Sequence, residues 1–312
     1  MKTLFIINPV SGRGSALRTW AECREQLTRM SANIGTHLTT GPGDATEATR
    51  RALLGGYDQI VIVGGDGTLN EAVNGYLDKS GRPINPAARL AILPGGTGSD
   101  FRRSVGITSR SRAIQAILGD RAIRIDAGSI HHGNHNGESV SRFFLNVVSF
   151  GLGGAVSAFV NRWNGRVPRW VSGHAVFSAA ALAGLKDFRS RSVTLTLDED
   201  KEIRIQSNLL VVANGSFAGG GMMLAPNAKL DDGLFDVVMT HEATRFDVVR
   251  ELSRIRSGGY IKNPKVSQIR TTGVRVGSND PMAIDIDGES GGYSPAILRV
   301  IGNAILVAVP PE

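Results

Sequence analysis

Cysteine is almost absent from this chain, with one residue, Cys23, in 312. A lone thiol excludes an intrachain disulfide, so packing and hydrogen bonds alone must hold the fold. No stretch approaches the ~18 uninterrupted apolar residues that span a bilayer. The opening MKTLFIINPV lacks the charged start, apolar run and small-residue cleavage site of a secretory signal. A reducing cytoplasm is the expected setting. Aromatic residues are scarce, at 6%, and neither a stacking motif nor a zinc-ligand spacing occurs. The net charge of +7 and pI of 9.9 invite an anionic partner, but without those platforms nucleic acid is not the expected one. No Pro- or Ser-rich linker, internal repeat or low-complexity tract divides the sequence.

Glycine is plentiful instead, at 39 residues, and its placement is informative. From residue 1 to about 126 short apolar runs alternate with helix-period segments. Strands are expected at Thr3–Ile7, 35–39, 59–63 and 90–93, and helices at 16–30, 42–54, 68–77 and 112–118. In the first helix Leu17, Trp20, Cys23, Leu27 and Met30 form the expected inner stripe, with Cys23 as small core filler. Such alternation predicts an α/β domain, a parallel sheet flanked by helices, that binds ligands beyond the carboxyl ends of its strands.

After about residue 127 the rhythm changes to Val- and Ile-rich runs with period-two alternation. Strands are expected at 141–148, 192–197, 202–213, 234–240, 266–272, 274–276, 282–286 and 297–309, with helices near 168–185 and 244–256. This predicts a second, mostly antiparallel β-sandwich domain over 127–301. The tail from about 302 to 312 is open to a return to the first domain. The segment His131-His132-Gly133-Asn134-His135 reads as an exposed hairpin loop rather than a metal site, which would need ligands fixed on rigid elements.

Glycine loops follow each strand of the first domain. The sharpest is VGGDGTLNEAVNG, where Gly64, Gly65 and Gly67 surround Asp66 just before a helix. Bare backbone N–H groups and a helix N-terminus suit a phosphate. Asp66 would repel a bare phosphate, so its presence implies a divalent cation between them. The lysine of a P-loop is missing. The plainer alternative is a tight turn with Asp66 as helix cap. NPVSGRG after the first strand, TTGPGDAT after the second and LPGGTGSDFRR after the fourth place further glycines on the same sheet edge.

Toward the C-terminus Asp285, Asp287 and Glu289 alternate in IDIDGE, which in an extended strand would turn all three to one face. Crowded carboxylates raise one another's pKa. An acidic, solvent-facing strand end is the open alternative.

These motifs, in this order and spacing, together with FLNVVSFGLGG, VVANGSFAGGGMMLAPNAKLDDGLFDVV and the DGE triplet, resemble the diacylglycerol kinase catalytic-domain family of bacterial lipid kinases, related to the sphingosine and ceramide kinases. The resemblance covers nearly the whole chain. It implies an NAD kinase/diacylglycerol kinase-like fold, with a nucleotide-binding domain at 1–126 and a lipid-substrate domain at 127–301. It implies ATP and Mg2+ as cofactors and transfer of the γ-phosphate to an apolar lipid alcohol, diacylglycerol being favoured.

By the same resemblance Asn8, Ser11, Gly12, Thr40, Gly64, Gly65, Asp66, Gly67, Thr68, Glu71, Gly96 and Thr97 hold the nucleotide. Asp66 and Asp100 join a magnesium-linked network. Ser99 stands where the family usually has Asn. Asp287 and Glu289 jointly supply the general base, with Glu289 slightly preferred. Lys229, Asp232 and Leu234 match a structural magnesium site built from two carbonyls and a carboxylate. A lipid acceptor implies peripheral contact with a membrane surface. The residues around Trp163 and Trp170, which interleave tryptophan and arginine, suit a bilayer interface, and the apolar run 175–185 suits a lipid slot or a buried helix. A homodimer stays open. NAD kinase, which shares GGDGT, is the nearest competing reading, and a catalytically inactive relative is another.

Overall fold

The computed structural model describes residues 1–30, 33–95, 99–163, 189–256 and 263–312. The chain divides into two compact units, Met1–Ala127 with Gly302–Glu312, and Gly128–Ile301.

The first unit runs β1 (Thr3–Ile7), α1 (Ser15–Met30), β2 (Ile34–Leu38), α2 (Asp44–Leu54), β3 (Gln59–Gly64), α3 (Asp66–Tyr76), β4 (Arg89–Pro94), α4 (Phe101–Ser104) and α5 (Arg110–Leu118). Its sheet is parallel in the order β2-β1-β3-β4. Val307 of the returning tail pairs, also parallel, with Leu90. Crossovers from β1 to β2 and from β2 to β3 run in opposite directions, so right-handed connections put α1 and α2 on opposite faces. Every residue of β1 and β3 is therefore buried, each Ile or Val there contributing ~1.5–3 kcal/mol.

The second unit runs from within β5 (Ala122–Gly133) through β6 (Ser139–Phe144), β7 (Val147–Gly151), α6 (Leu152–Trp163), β8 (Arg191–Leu197), β9 (Lys201–Ser207), β10 (Leu209–Ala213), β11 (Phe217–Ala218), β12 (Met222–Met223), β13 (Phe235–Thr240), α7 (Arg245–Arg256), β14 (Val266–Thr271), β15 (Gly273–Ser278) and β16 (Ala283–Ile286) into β17 (Glu289–Ala308). One antiparallel run reads β14-β13-β10-β7-β16-β17, and β17 also pairs with β15 and β5, which continue to β8-β9 and to β6. The strands enclose a main core that includes Phe144, Phe150, Leu195, Phe235, Val276, Ile284 and Leu298, and a smaller cluster gathers Val147, Val211, Ala213, Ala225 and Val238. The fold expected from the sequence, a parallel α/β domain and an antiparallel β-sandwich, is the fold observed.

Several local expectations change. Leu17 is exposed; Cys23 and Leu27 are buried as expected, Trp20 is half-buried against Phe5, and Ala16 and Thr19 join the inner stripe. Glycine is needed at 95 because a Cβ there would stand 2.4 Å from the Ala16 Cβ. The single strands expected at 141–148 and 202–213 are each two, broken at Leu145-Asn146 and Asn208. Strand β5 and helix α6 were not expected at all. His131 and His132 belong to β5 rather than to a loop, and His132 is buried, which lowers its pKa. The helix expected near 168–185, the run 175–185, Trp170 and the side chain of Trp163 lie outside the described residues, as do Gly96 and Thr97. Among the described residues no helix is long and apolar enough to cross a membrane.

Candidate functional site

In the first unit the loops after β1, β3 and β4 are tied to one another by side chains. Asn8 accepts the N–H groups of Val10 and Ser11 at 3.2 Å, closing a turn on itself, and donates from its amide to the Thr68 hydroxyl at 2.9 Å. Ser11 opens a short 3-10 turn, Ser11–Gly14, in which Gly12 has φ +56. Gly64 has to be glycine, since a Cβ there would stand 2.9 Å from the Thr68 hydroxyl, whereas Gly65 would meet the Ser11 hydroxyl only at 3.5 Å.

Helix α3 begins at Asp66, two residues earlier than the hydrophobic period indicates, and Gly65 caps it without a side chain. Its first helical bond runs from the Leu69 N–H to the Gly65 carbonyl at 3.1 Å. The N–H groups of Asp66, Gly67 and Thr68 therefore stay outside the helical ladder.

The Asp66 carboxylate does not cap its own helix. It reaches the loop after β4, accepting from the Asp100 N–H at 2.6 Å, the Phe101 N–H at 3.3 Å and the Ser99 hydroxyl at 3.3 Å. The serine at position 99 thus donates to the acid of the loop after β3. Asp100 is buried, and the Arg103 guanidinium lies 3.9 Å from it. Two carboxylates beside the N-terminus of α3 are a donor set that fits a cation-bound phosphate.

The loop after β2 is held separately. Thr40 donates its N–H and hydroxyl to Asp44 at 2.7 and 3.0 Å, and the His37 ring bonds the other Asp44 oxygen at 3.0 Å. The Thr40 N–H bond is the first cause that lowers the Asp44 pKa. Glu71 accepts from the Ala45 N–H at 3.2 Å, so an acid on α3 satisfies the start of α2. The His37–Asp44 pair was not singled out from sequence. Its only signal is an Asp at a helix start.

In the second unit the DGE triplet is a hairpin, not an extended run. Asp287 and Gly288, at φ +50 and +90, are the two turn residues between β16 and β17, as a two-residue turn with both φ positive requires. This corrects the expectation that three carboxylates share one strand face. The Asp287 carboxylate folds back to accept three backbone N–H groups, from Leu145, Asn146 and Val147, each at 2.9 Å. Asn214 holds the Leu145 carbonyl at 2.7 Å, and Asn146 donates to the Phe217 carbonyl. The asparagines of FLNVV and VVANG thus belong to one knot beneath the hairpin.

Glu289 opens β17 half-buried. Asp285 is buried, opposite Ser149 in the β16–β7 register, and accepts from the Ser149 hydroxyl at 3.3 Å. Burial pushes its carboxyl up to about 7; hydrogen bonds from Ser157 and Ser149 oppose the shift, and the nearby Asp287 and Glu289 charges add to it.

Before β13, Asp232 accepts the Leu234 N–H at 3.2 Å with one oxygen and pairs with the Arg270 guanidinium through the other, while Lys229 is exposed. A cationic side chain already stands on this carboxylate, and the arrangement does not fit a divalent ion.

Two family models match the chain: the diacylglycerol kinase catalytic domain over residues 2–130, and the YegS C-terminal NAD kinase beta sandwich-like domain over residues 146–309. Among curated proteins it is 28% identical over 309 residues to a diacylglycerol kinase of Bacillus subtilis (strain 168), covering 98% of this chain and 96% of that one. It is 29% identical over 313 residues to one of Staphylococcus haemolyticus, covering 98% and 88%. Among solved structures, a diacylglycerol kinase from Bacillus anthracis str. Sterne superposes with a TM-score of 0.72 at 20% identity, covering 99% of this chain and 97% of that one. That likeness speaks to the fold.

Proposed function

The chain belongs to the diacylglycerol kinase catalytic-domain family, and from that premise we propose that it transfers the γ-phosphate of ATP to the hydroxyl of an apolar lipid alcohol, diacylglycerol first. The observation that carries this reading is the Asp66 junction, where one carboxylate fastens the loop after β4 to the N-terminus of α3. Loops fixed at the carboxyl ends of parallel strands are where such a sheet takes its ligand.

Asn8, Ser11, Gly64, Gly65, Gly67 and Thr68 line the phosphate side. Thr40, held by Asp44, and Glu71, which anchors α2, shape the next loop. Asp66 and Asp100 would hold magnesium, which when bound neutralises the charge of the triphosphate. Glu289 accepts the proton of the acceptor hydroxyl as its oxygen forms the new bond to the γ-phosphorus and the bond to ADP breaks. Asp287 keeps the turn that presents Glu289. Most of the acceleration comes from positioning and charge stabilisation. An apolar acceptor brings the protein to a membrane surface as a peripheral visitor in the cytoplasm.

The test is transfer of labelled γ-phosphate from ATP to a panel of diacylglycerol, phosphatidylglycerol, ceramide, a sphingoid base and NAD, with Asp66→Ala as control. Labelled lipid from the wild type alone is the expected result. Labelled NAD with no labelled lipid would reverse the assignment in favour of a soluble nucleotide acceptor. No transfer at all, with ATP still bound, would make the chain an inactive relative.

A further inference from the structure

The loop entering β13 is acidic and tightly turned: Asp231 and Asp232 precede Gly233 at φ +71. One Asp232 oxygen is spent on the Leu234 N–H. The other meets Arg270, which comes from β14 and lies directly across the ladder from Asp236 of β13. The Arg270 Nε is 3.9 Å from Asp236, a fully buried carboxylate whose pKa burial raises and whose other oxygen takes the Gln268 amide. A single guanidinium therefore stands between a loop carboxylate and a strand carboxylate. Its planar fork can serve two acceptors at once, and it stays charged at any pH the fold survives.

We propose that Arg270 is the built-in cation of this loop, fastening Asp232 to β14 so that residues 229–234 keep their shape with no divalent metal. Magnesium needs near-octahedral oxygen ligands at ~2.0–2.1 Å and gives up its water reluctantly. Beside Asp232 it would have to displace a side chain already carrying positive charge and tethered by the strand pairing of β14. The strand register delivers this cation whenever the sandwich folds. The turn thus needs nothing from solution.

The inference does not depend on the lipid-kinase reading, and its test reads stability and metal content rather than activity. The full chain, free of nucleotide, is stripped with EDTA and returned to millimolar magnesium. Bound metal is counted by mass spectrometry, and thermal unfolding is followed with and without magnesium. Asp232→Asn serves as the site control and reports any metal bound elsewhere.

The expected result is that wild type and Asp232→Asn retain the same amount of magnesium and show the same response of melting temperature to it. Arg270→Ala melts lower than wild type and regains part of the loss in magnesium, and adding Asp232→Asn removes that recovery. Arg270→Lys, which keeps the charge without the fork, falls between. Magnesium retained by wild type but lost in Asp232→Asn overturns the proposal, as does an Arg270→Ala protein that melts like wild type. If Arg270→Ala does not fold, the comparison of wild type with Asp232→Asn still decides.

Discussion

Replacing Asp287 by Asn separates anchoring from chemistry within the DGE triplet. The side-chain shape is nearly unchanged, and Asn accepts the left-handed backbone at φ +50 as readily as Asp. What changes is the acceptor count. In the wild type one oxygen takes the Asn146 and Val147 N–H groups and the other takes that of Leu145, all at 2.9 Å. The Asn amide group has to face at least one of these donors, so a bond is lost and two buried donors oppose each other. Losing a hydrogen bond to a charged partner and leaving its donor buried and unpaired is one loss, of ~1.5–3 kcal/mol, which is how far the variant should fall below wild type. The assay is urea unfolding combined with hydrogen exchange at Leu145, Asn146 and Val147. Asp287→Asn should unfold at lower urea and lose protection at those three amides. Glu289→Gln should keep both and lose phosphoryl transfer. An Asp287→Asn protein with wild-type midpoint and wild-type protection would refute the anchoring role.

Two further substitutions test the packing and the electrostatics. A Cβ at Gly75 would lie 2.1 Å from the Thr46 carbonyl oxygen, so Gly75→Ala forces α3 away from α2 and should cost about 1–3 kcal/mol in denaturant unfolding; Gly41→Ala, with nothing within 4 Å, should be near silent by the same measurement. Asp285, with its carboxyl at about 7 in the fold and near 3.9 in an unfolded chain, binds its proton more tightly when folded, so its stabilising effect is complete below about pH 4 and is lost as pH rises to 7. At about 1.4 kcal/mol per pH unit the full swing is ~4 kcal/mol. Asp285→Asn should remove that slope from stability measured against pH, and an unchanged slope would show that burial does not raise the Asp285 pKa.

The first unit was legible because its signals are local. Fully buried parallel strands show as unbroken apolar runs such as QIVIV, and glycines mark the strand ends where the chain must turn without side chains. The second unit hid where its signals are distant. Helix α6 starts Leu152-Gly153-Gly154, which reads as a loop, yet both glycines serve close approach. A Cβ on Gly153 would fall 2.1 Å from the Ser149 hydroxyl, and one on Gly154 would fall 2.3 Å from the Ala283 carbonyl. Strand β5 was missed because Gly128 breaks its apolar pattern, although the Phe144 ring fills the space, 2.1 Å from where a Cβ would sit. The breaks at Leu145-Asn146 and Asn208 carry no Gly or Pro, and the asparagine side chains there bond to distant segments, Asn146 to the Phe217 carbonyl. Asn208 donates to the Ala243 carbonyl at 2.8 Å. Arg270 gave no signal because only strand register brings it to Asp232.

Acids in a motif invite a chemical role, yet both motifs here commit an aspartate to backbone donors of a distant loop. For Asp287 the consequence is exclusion. With its two oxygens accepting three N–H groups, it has little lone-pair capacity left for a hydroxyl proton, which is why the base in the proposed reaction is Glu289, two residues on and half-buried. For Asp66 the consequence is different. Its bonds to residues 99–101 fix the loop without cancelling its charge. A full negative charge beside the N-terminus of α3 more than offsets the roughly half positive charge that a helix end provides. On the proposed reading a phosphate there would need a cation beside it, so the carboxylate that organises the loops is also the one that would call for magnesium.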